Sequence, residues 1–245
     1  MAANQPDTIF HLWVYLSTSP LLGLTTTLAV FIFATWLYQH SKKNPLLNPV
    51  PVAVAIIISL LLLTQTPYET YFEGAQFIHF QLGPATVALA VALYQQLPKL
   101  RKLWLPVSIA LVTGVVTAVL SGVAIARLLG GSRATLISIA PKSVTTPVAM
   151  GIAEQTGGLP SLTAAFVVIT GIVGALTGTT LLRWLNIRDD SVKGIAMGIT
   201  SHGMGTARSF QVSPEMGAFA GLAMAIASLI TAILLPWLLG LIGLQ

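Results

Sequence analysis

The sequence contains no cysteine. Disulfides, thiolate catalysis and cysteine-held metals are therefore excluded, and the redox compartment leaves no trace in the chain. Charge is also scarce. Asp, Glu, Lys and Arg make up 8% of the 245 residues, against about 25% in an ordinary soluble domain. The seven acidic residues form no paired carboxylates and no metal-ligand cluster. There is no nucleophile elbow and no phosphate loop. Ser201 and His202 are neighbours in sequence, which says nothing about a hydroxyl–imidazole geometry. No enzyme activity and no cofactor are expected. The opening residues, MAANQPDTIFHLW, lack the basic region of a cleaved signal peptide. What the chain does have is apolar surface: 55% of residues are apolar and the mean hydropathy is +0.84. This is the composition of an integral membrane protein. The net charge of +5 is no nucleic-acid signal, because most basic residues fall in short loops where they set topology.

Apolar runs mark candidate spans near Leu21–Tyr38, Pro49–Gln65, Leu82–Leu97, Leu103–Ala126, Ala134–Ala153, Pro160–Leu182, Gly194–Arg208 and Met216–Leu241. A full crossing takes about 20 residues, with ~17 as the short limit. The third and seventh runs are short and the fifth is interrupted. The expected fold is all-α: a polytopic helical bundle of about eight membrane segments, one or two of them broken or re-entrant. The connections leave no room for a second domain, so residues 1–245 are expected to form one transmembrane domain. Residues 9–16, with Trp13 and Tyr15, either extend the first helix or lie at the interface. Asn48-Pro49 reads as an ordinary helix start.

Loop charge gives an orientation. His40, Lys42 and Lys43 follow the first run, Glu69 and Glu73 the second, and Lys99, Arg101 and Lys102 the third. The first and third loops are then cytoplasmic and the N-terminus is outside. For Arg183, Arg188 and Lys193 to lie inside as well, residues 134–158 must enter and leave on one side. If that segment crosses instead, the 183–193 loop is outside. A faint repeat pairs residues 83–90 with 146–153, each containing a proline (Pro84, Pro147) and each followed by Leu-Pro. It would divide the chain into units near 49–130 and 131–243, as transporter repeats do. Chance similarity among Ala, Gly and Val is the competing explanation.

Lys142 is the most telling residue. It sits in ISIAPKSVTTPVAM, residues 137–150, between Pro141 and Pro147 and beside Ser143, Thr145 and Thr146. An ammonium at membrane depth costs roughly 2.5–3.5 kcal/mol and so marks a pathway or a site. Two prolines six residues apart break a helix and release backbone groups that need partners. A cation, a break and three hydroxyls together suit a small anion. Ser201-His202-Gly203-Met204-Gly205-Thr206-Ala207-Arg208 forms a second candidate. Arg208 can grip a carboxylate in a bidentate fork, and His202 titrates near neutral pH and suits a coupled proton. Thr206 offers a hydroxyl. Gly203 and Gly205 are expected to break the helix and admit a bound oxyanion to the backbone. Snorkelling to the interface is the alternative for Arg208, and plain packing the alternative for His202. Glu154 follows the broken helix, either paired with Lys142 or at the membrane surface. No embedded carboxylate cluster exists for sodium, which favours protons as the coupling ion. Gly174/Gly178, Gly194/Gly198 and Gly217/Gly221 suit close helix packing, within the chain or against a partner.

PKSVTTP at 141–147 and SHGMGTAR at 201–208 resemble the two signatures of the LrgB/CidB membrane proteins, which include the YohK-like proteins. NPLLNPV at 44–50 and PATVALA at 84–90 match the same family, over nearly the whole chain. The second half of the plastidial glycolate/glycerate translocator is similar. The resemblance implies two roles. One is carriage of small monocarboxylates such as pyruvate, glycolate or glycerate, with Lys142, Ser143, Thr145, Thr146, His202, Thr206 and Arg208 at the site. The other is antiholin-like modulation of murein hydrolase activity and autolysis, beside a holin-like LrgA/CidA-type membrane partner. A homo- or hetero-oligomer in the lipid bilayer follows from either role. Some relatives carry Ala or Leu where this chain has Gly203 and Met204, which makes those two the weaker site residues.

Overall fold

The structure, a computed structural model, describes residues 20–41, 44 and 47–244. The expectations that rest on residues 9–16, on Lys42 and Lys43, and on positions 45–46 lie outside these. All regular structure among the described residues is helical: α1 (Pro20–His40), α2 (Pro49–Leu63), α3 (Tyr68–Phe80), α4 (Leu82–Gln95), α5 (Leu97–Leu128), α6 (Arg133–Ile139), α7 (Thr146–Thr156), α8 (Pro160–Trp184), α9 (Asp190–Val212) and α10 (Pro214–Leu241). The chain is an all-α polytopic membrane protein. Four helices are long and apolar enough to cross a bilayer: α1 from Leu21, α5, α8 and α10. On α10, Leu229, Ile233, Trp237 and Leu241 are 65–83% exposed, while Ala223, Ala227, Leu235 and Leu239 on the other side are at most 2% exposed. A helix apolar all round with one bare face requires lipid against that face.

The helices fall into two compact units that divide between Val87 and Ala88. In the first, α1 packs on α2 and α3, and Thr27 Oγ1 and Tyr71 OH share a 2.7 Å hydrogen bond. Asn48 caps α2 through its Oδ1, which accepts from Val50 N at 3.1 Å, with Pro49 opening the helix. Glu69 and Glu73, read as loop residues from the sequence, lie on α3.

In the second unit, α5 contributes a buried stripe at a spacing of four, Val107, Leu111, Val115, Val119 and Val123, against Ile195, Ile199, Phe219 and Ala223. Lipid tails are as apolar as these side chains, so close packing and interhelical hydrogen bonds hold the unit together. At one end, Lys99 Nζ pairs with Asp189 Oδ2 at 3.1 Å and with Glu215 Oε1 at 2.6 Å, joining the starts of α5, α9 and α10. At the other, Arg133 Nη2 donates to the Leu244 carbonyl at 3.0 Å.

Two segments that read as spans are re-entrant hairpins. The first covers residues 133–156: just beyond it, Leu159 N donates to Ser138 Oγ at 2.8 Å and Thr163 Oγ1 to the Ser138 carbonyl at 3.0 Å. A continuous helix would separate residues 138 and 159 by ~32 Å. The chain turns instead through Ala140–Val144, and α7 returns to the Arg133 end. This settles the sequence alternative in favour of re-entry. Residues 190–212 do the same from the opposite end. Ser213 Oγ donates to Asp190 Oδ2 at 2.7 Å, although an unbroken helix between them would be ~34 Å long. The reversal is at His202, with φ 41° and ψ −132°. Gly203 and Gly205, expected as the breakers, keep helical conformations. Gly205 serves closeness instead: a Cβ there would lie 2.5 Å from the Met197 carbonyl oxygen on the facing arm.

Seven cations of this unit (Lys99, Arg101, Lys102, Arg183, Arg188, Lys193 and Arg208) belong to the Lys99 end, and Arg127 and Arg133 to the other. The positive-inside rule assigns the Lys99 end to the cytoplasm.

Candidate functional site

The tips of the two hairpins arrive on a single stripe of small residues on α5: Gly114, Ala118 and Gly122, spaced by four. From the first hairpin, Lys142 Nζ donates to the Ala118 carbonyl at 2.8 Å. A Cβ on Gly122 would lie 2.5 Å from that nitrogen, so the missing side chain is what lets the ammonium reach the helix. From the second hairpin, Ile199 approaches Gly114, where a Cβ would lie 3.0 Å from its Cδ1. Pro141, Ser143 and Val144 of the first tip, Ile199 of the second and Thr231 of α10 line one small gap with Val115 and Ala118.

Val167 of α8 joins the tips from the other side. Its side chain packs with Val144 and Ala149, and its carbonyl is 2.9 Å from His202 Nε2. The imidazole is 6% exposed. It fits because α8 has glycine where it lies: a Cβ on Gly171 would be 2.6 Å from His202 Cε1. Gly178 likewise receives Met197. Gly194 and Gly198 meet α10 at Met216 and Ala220. These glycine pairs therefore pack inside the chain.

The backbone explains why the breaks fall there. Pro141 has no N–H, and its ring blocks continuation of α6. Pro147 does not break a helix; it opens α7 in the first turn, behind the N-cap residue Thr145. Pro84 likewise lies in the first turn of α4, just after the turn at Gln81. At His202 a non-glycine residue takes a positive φ, a conformation that costs of order 1–3 kcal/mol and is held by its surroundings. Here the holders are the Val167 carbonyl on the ring and Thr206 Oγ1, which donates to the His202 carbonyl at 2.9 Å.

The sequence candidates therefore separate. Lys142, Ser143, Thr145 and Thr146 share the first tip, and His202 forms the second. Thr206 is buried, its hydroxyl is engaged by the His202 carbonyl and Met224 Sδ, and it does not line the gap. Arg208 leaves the group altogether. The reversal carries it back toward the Asp190 end, where it lines a cavity with Arg183, Arg188 and Lys193. Glu154 is exposed near the outer end of α7, and Lys142 bonds to backbone instead. Sequence reasoning missed Gly122, Ala118 and Val167. The small-residue spacing on α5 was a signal for the first two; a backbone carbonyl such as that of Val167 leaves none.

A model of the LrgB-like family matches residues 27–241. The chain is 33% identical over 219 residues to the uncharacterized protein YwbG of Bacillus subtilis, covering 89% of this chain and 97% of that one. It is 30% identical over 225 residues to proteins of Bacillus cereus and Bacillus anthracis named antiholin-like protein LrgB, covering 92% of this chain and 98% of theirs. No solved structure matches. The family match over residues 27–241 and relatives of nearly the same length together make this chain a member of the LrgB-like family.

Proposed function

We propose that the chain is a carrier of small monocarboxylates such as pyruvate, glycolate or glycerate, with no bond-making chemistry of its own. The observation that carries this reading is the meeting of two oppositely entering hairpins on one stripe of α5, with Lys142 at a tip. Irregular backbone at membrane depth is tolerated where it is buried in protein or lines a cavity. Transporter folds use such interrupted helices to aim the positive ends of half-helices at an anion. Here α7 and the returning arm of α9 both begin at the tips. Two helix N-termini and one ammonium favour a single small anion.

In this reading the carboxylate takes the Lys142 ammonium from the Ala118 carbonyl. The hydroxyls of Ser143, Thr145 and Thr146 bind the 2-oxo or 2-hydroxy oxygen, and His202 carries a coupled proton. Arg208 is left out of the substrate set. The test is uptake of labelled pyruvate and glycolate into proteoliposomes. Lys142→Met keeps the apolar stem and removes the charge; it should abolish uptake while leaving thermal unfolding of the protein unchanged. Normal uptake by that variant would sink the site.

A second reading is favoured by the names of the relatives, which speak for it and for no substrate: an antiholin-like modulator of murein hydrolase activity and autolysis, working with a holin-like LrgA/CidA-type membrane protein. Ligand that binds only the native state raises the unfolding midpoint. A shift with millimolar carboxylate favours the carrier. No shift with any small acid, together with a stable complex with the holin-like protein, favours the modulator. Both hold at once where lost carboxylate flux alters lysis.

A further inference from the structure

The cations at the cytoplasmic end are not spread evenly. Arg183, Arg188, Lys193 and Arg208 line a single cavity of about 420 Å³, with Thr179 and Asn186. Lys99, Arg101 and Lys102 sit at the same end and take no part in it. Topology explains how many positive charges collect on this side; it does not explain why four line one cavity, three from the stretch 183–193 and the fourth, Arg208, from the far arm of the second hairpin. Arg183 comes from the last turn of α8, Arg188 from the following loop, Lys193 from the outgoing arm of α9 and Arg208 from its returning arm.

The nearby carboxylates are already engaged. Asp190 Oδ1 pairs with Lys193 at 2.7 Å, and Asp189 and Glu215 are held by Lys99. Arg183 and Arg188 make no ion pair among the described residues; Arg188 Nε donates to Asn186 Oδ1 at 3.1 Å. The Thr179 hydroxyl is buried with no hydrogen-bond partner among the described residues. Beside the cavity, Trp184 is 88% exposed, the place of an indole at headgroup depth.

We infer that this cavity is a phosphate-binding site. Guanidinium forks match phosphate oxygens two at a time. Arg208 Nη1 already donates to Gln211 Oε1 at 2.9 Å and Lys193 is paired with Asp190; Arg183 and Arg188 by themselves bring two positive charges, more than a monocarboxylate neutralises. A cavity of this size also exceeds a three-carbon acid and suits a phosphate with its substituent. The chemistry is shared by an anionic phospholipid headgroup and by a soluble phosphate. Either would tie the end of α8 to both arms of the second hairpin and so hold that hairpin closed on itself. The inference is independent of whether a carboxylate is carried at the tips.

The test is thermal unfolding of the full chain in a neutral detergent. One arm adds inorganic phosphate and the other adds phosphatidylglycerol, each against a phosphatidylcholine baseline. The unfolding midpoint should rise in at least one arm, and the arm that responds identifies the source. The double variant Arg183→Gln/Arg188→Gln should weaken the apparent affinity about 100-fold, tenfold for each lost fork. Arg183→Lys/Arg188→Lys keeps the charge and loses the forks, and should fall between. Arg101→Gln/Lys102→Gln, at the same end but outside the cavity, should leave the shift intact. No rise with either additive overturns the assignment. So does an equal loss in the Arg101/Lys102 variant, which would make the effect one of general surface charge.

Discussion

At position 122 one added methyl tests how Lys142 is held. Gly122→Ala puts a carbon 2.5 Å from Nζ. Overpacking of this kind costs typically 1–3 kcal/mol, and the ammonium is the part free to move. The expected outcome is a modest fall in the unfolding midpoint with a large loss of uptake, because Lys142 no longer rests on the Ala118 carbonyl; unchanged uptake would show that this resting place is dispensable. Asp189 offers a second residue-scale test. Its carboxylate caps α9, accepting from Ser191 and Val192 N–H and from the Ser191 hydroxyl. The Ser191 hydroxyl, and beyond it Lys99, hold its pKa down from the ordinary 3.8 to about 2. A depressed carboxylate stabilises the fold above its unfolded pKa, and that contribution is lost as pH falls through the folded value. Stability should therefore erode between about pH 4 and pH 2, and Asp189→Ala, which removes the cap at a cost of about 1 kcal/mol, should flatten that slope in acid-unfolding curves.

The elements show what one reversed residue does. A 23-residue stretch with regular helical periodicity, Asp190–Val212, is long enough to pass for a span, yet it goes in and comes back. Because the sequence has no cysteine, introduced pairs report without background. Lys193→Cys and Val212→Cys line one cavity, and spin labels at these positions should give a distance well short of the ~28 Å that 19 residues of continuous helix impose. A measured separation near that length would remove the second hairpin. The first hairpin was half legible: Pro141 announces a break, but whether the chain then crosses or returns depends on where Ser138 finds its partner. That partner, Leu159 N, is 21 residues away.

For the molecule as a whole, opposite entry of the hairpins fixes which loops face which side. Single cysteines at Leu128 or Glu154 should react with a membrane-impermeant maleimide in intact cells. Cysteines at Lys102 or Leu185 should react only after the membrane is opened. Labelling of all four from one side would contradict the assigned topology.

Composition and hydropathy by themselves determined that this chain lives in lipid, that it is all helical, and that a cation between two prolines marks its interior. These follow from the cost of placing charge and unpaired backbone in hydrocarbon, which any membrane sequence must obey residue by residue. Only tertiary structure decided that two apparent spans fold back, that His202 and not its glycine neighbours makes the reversal, and that Arg208 belongs to a separate basic cavity. Each of those depends on contacts between residues far apart in the chain: Asp190 with Ser213, Ser138 with Leu159, His202 with Val167. Local sequence sets where a helix can bend; the partner waiting at the far end sets which way it goes.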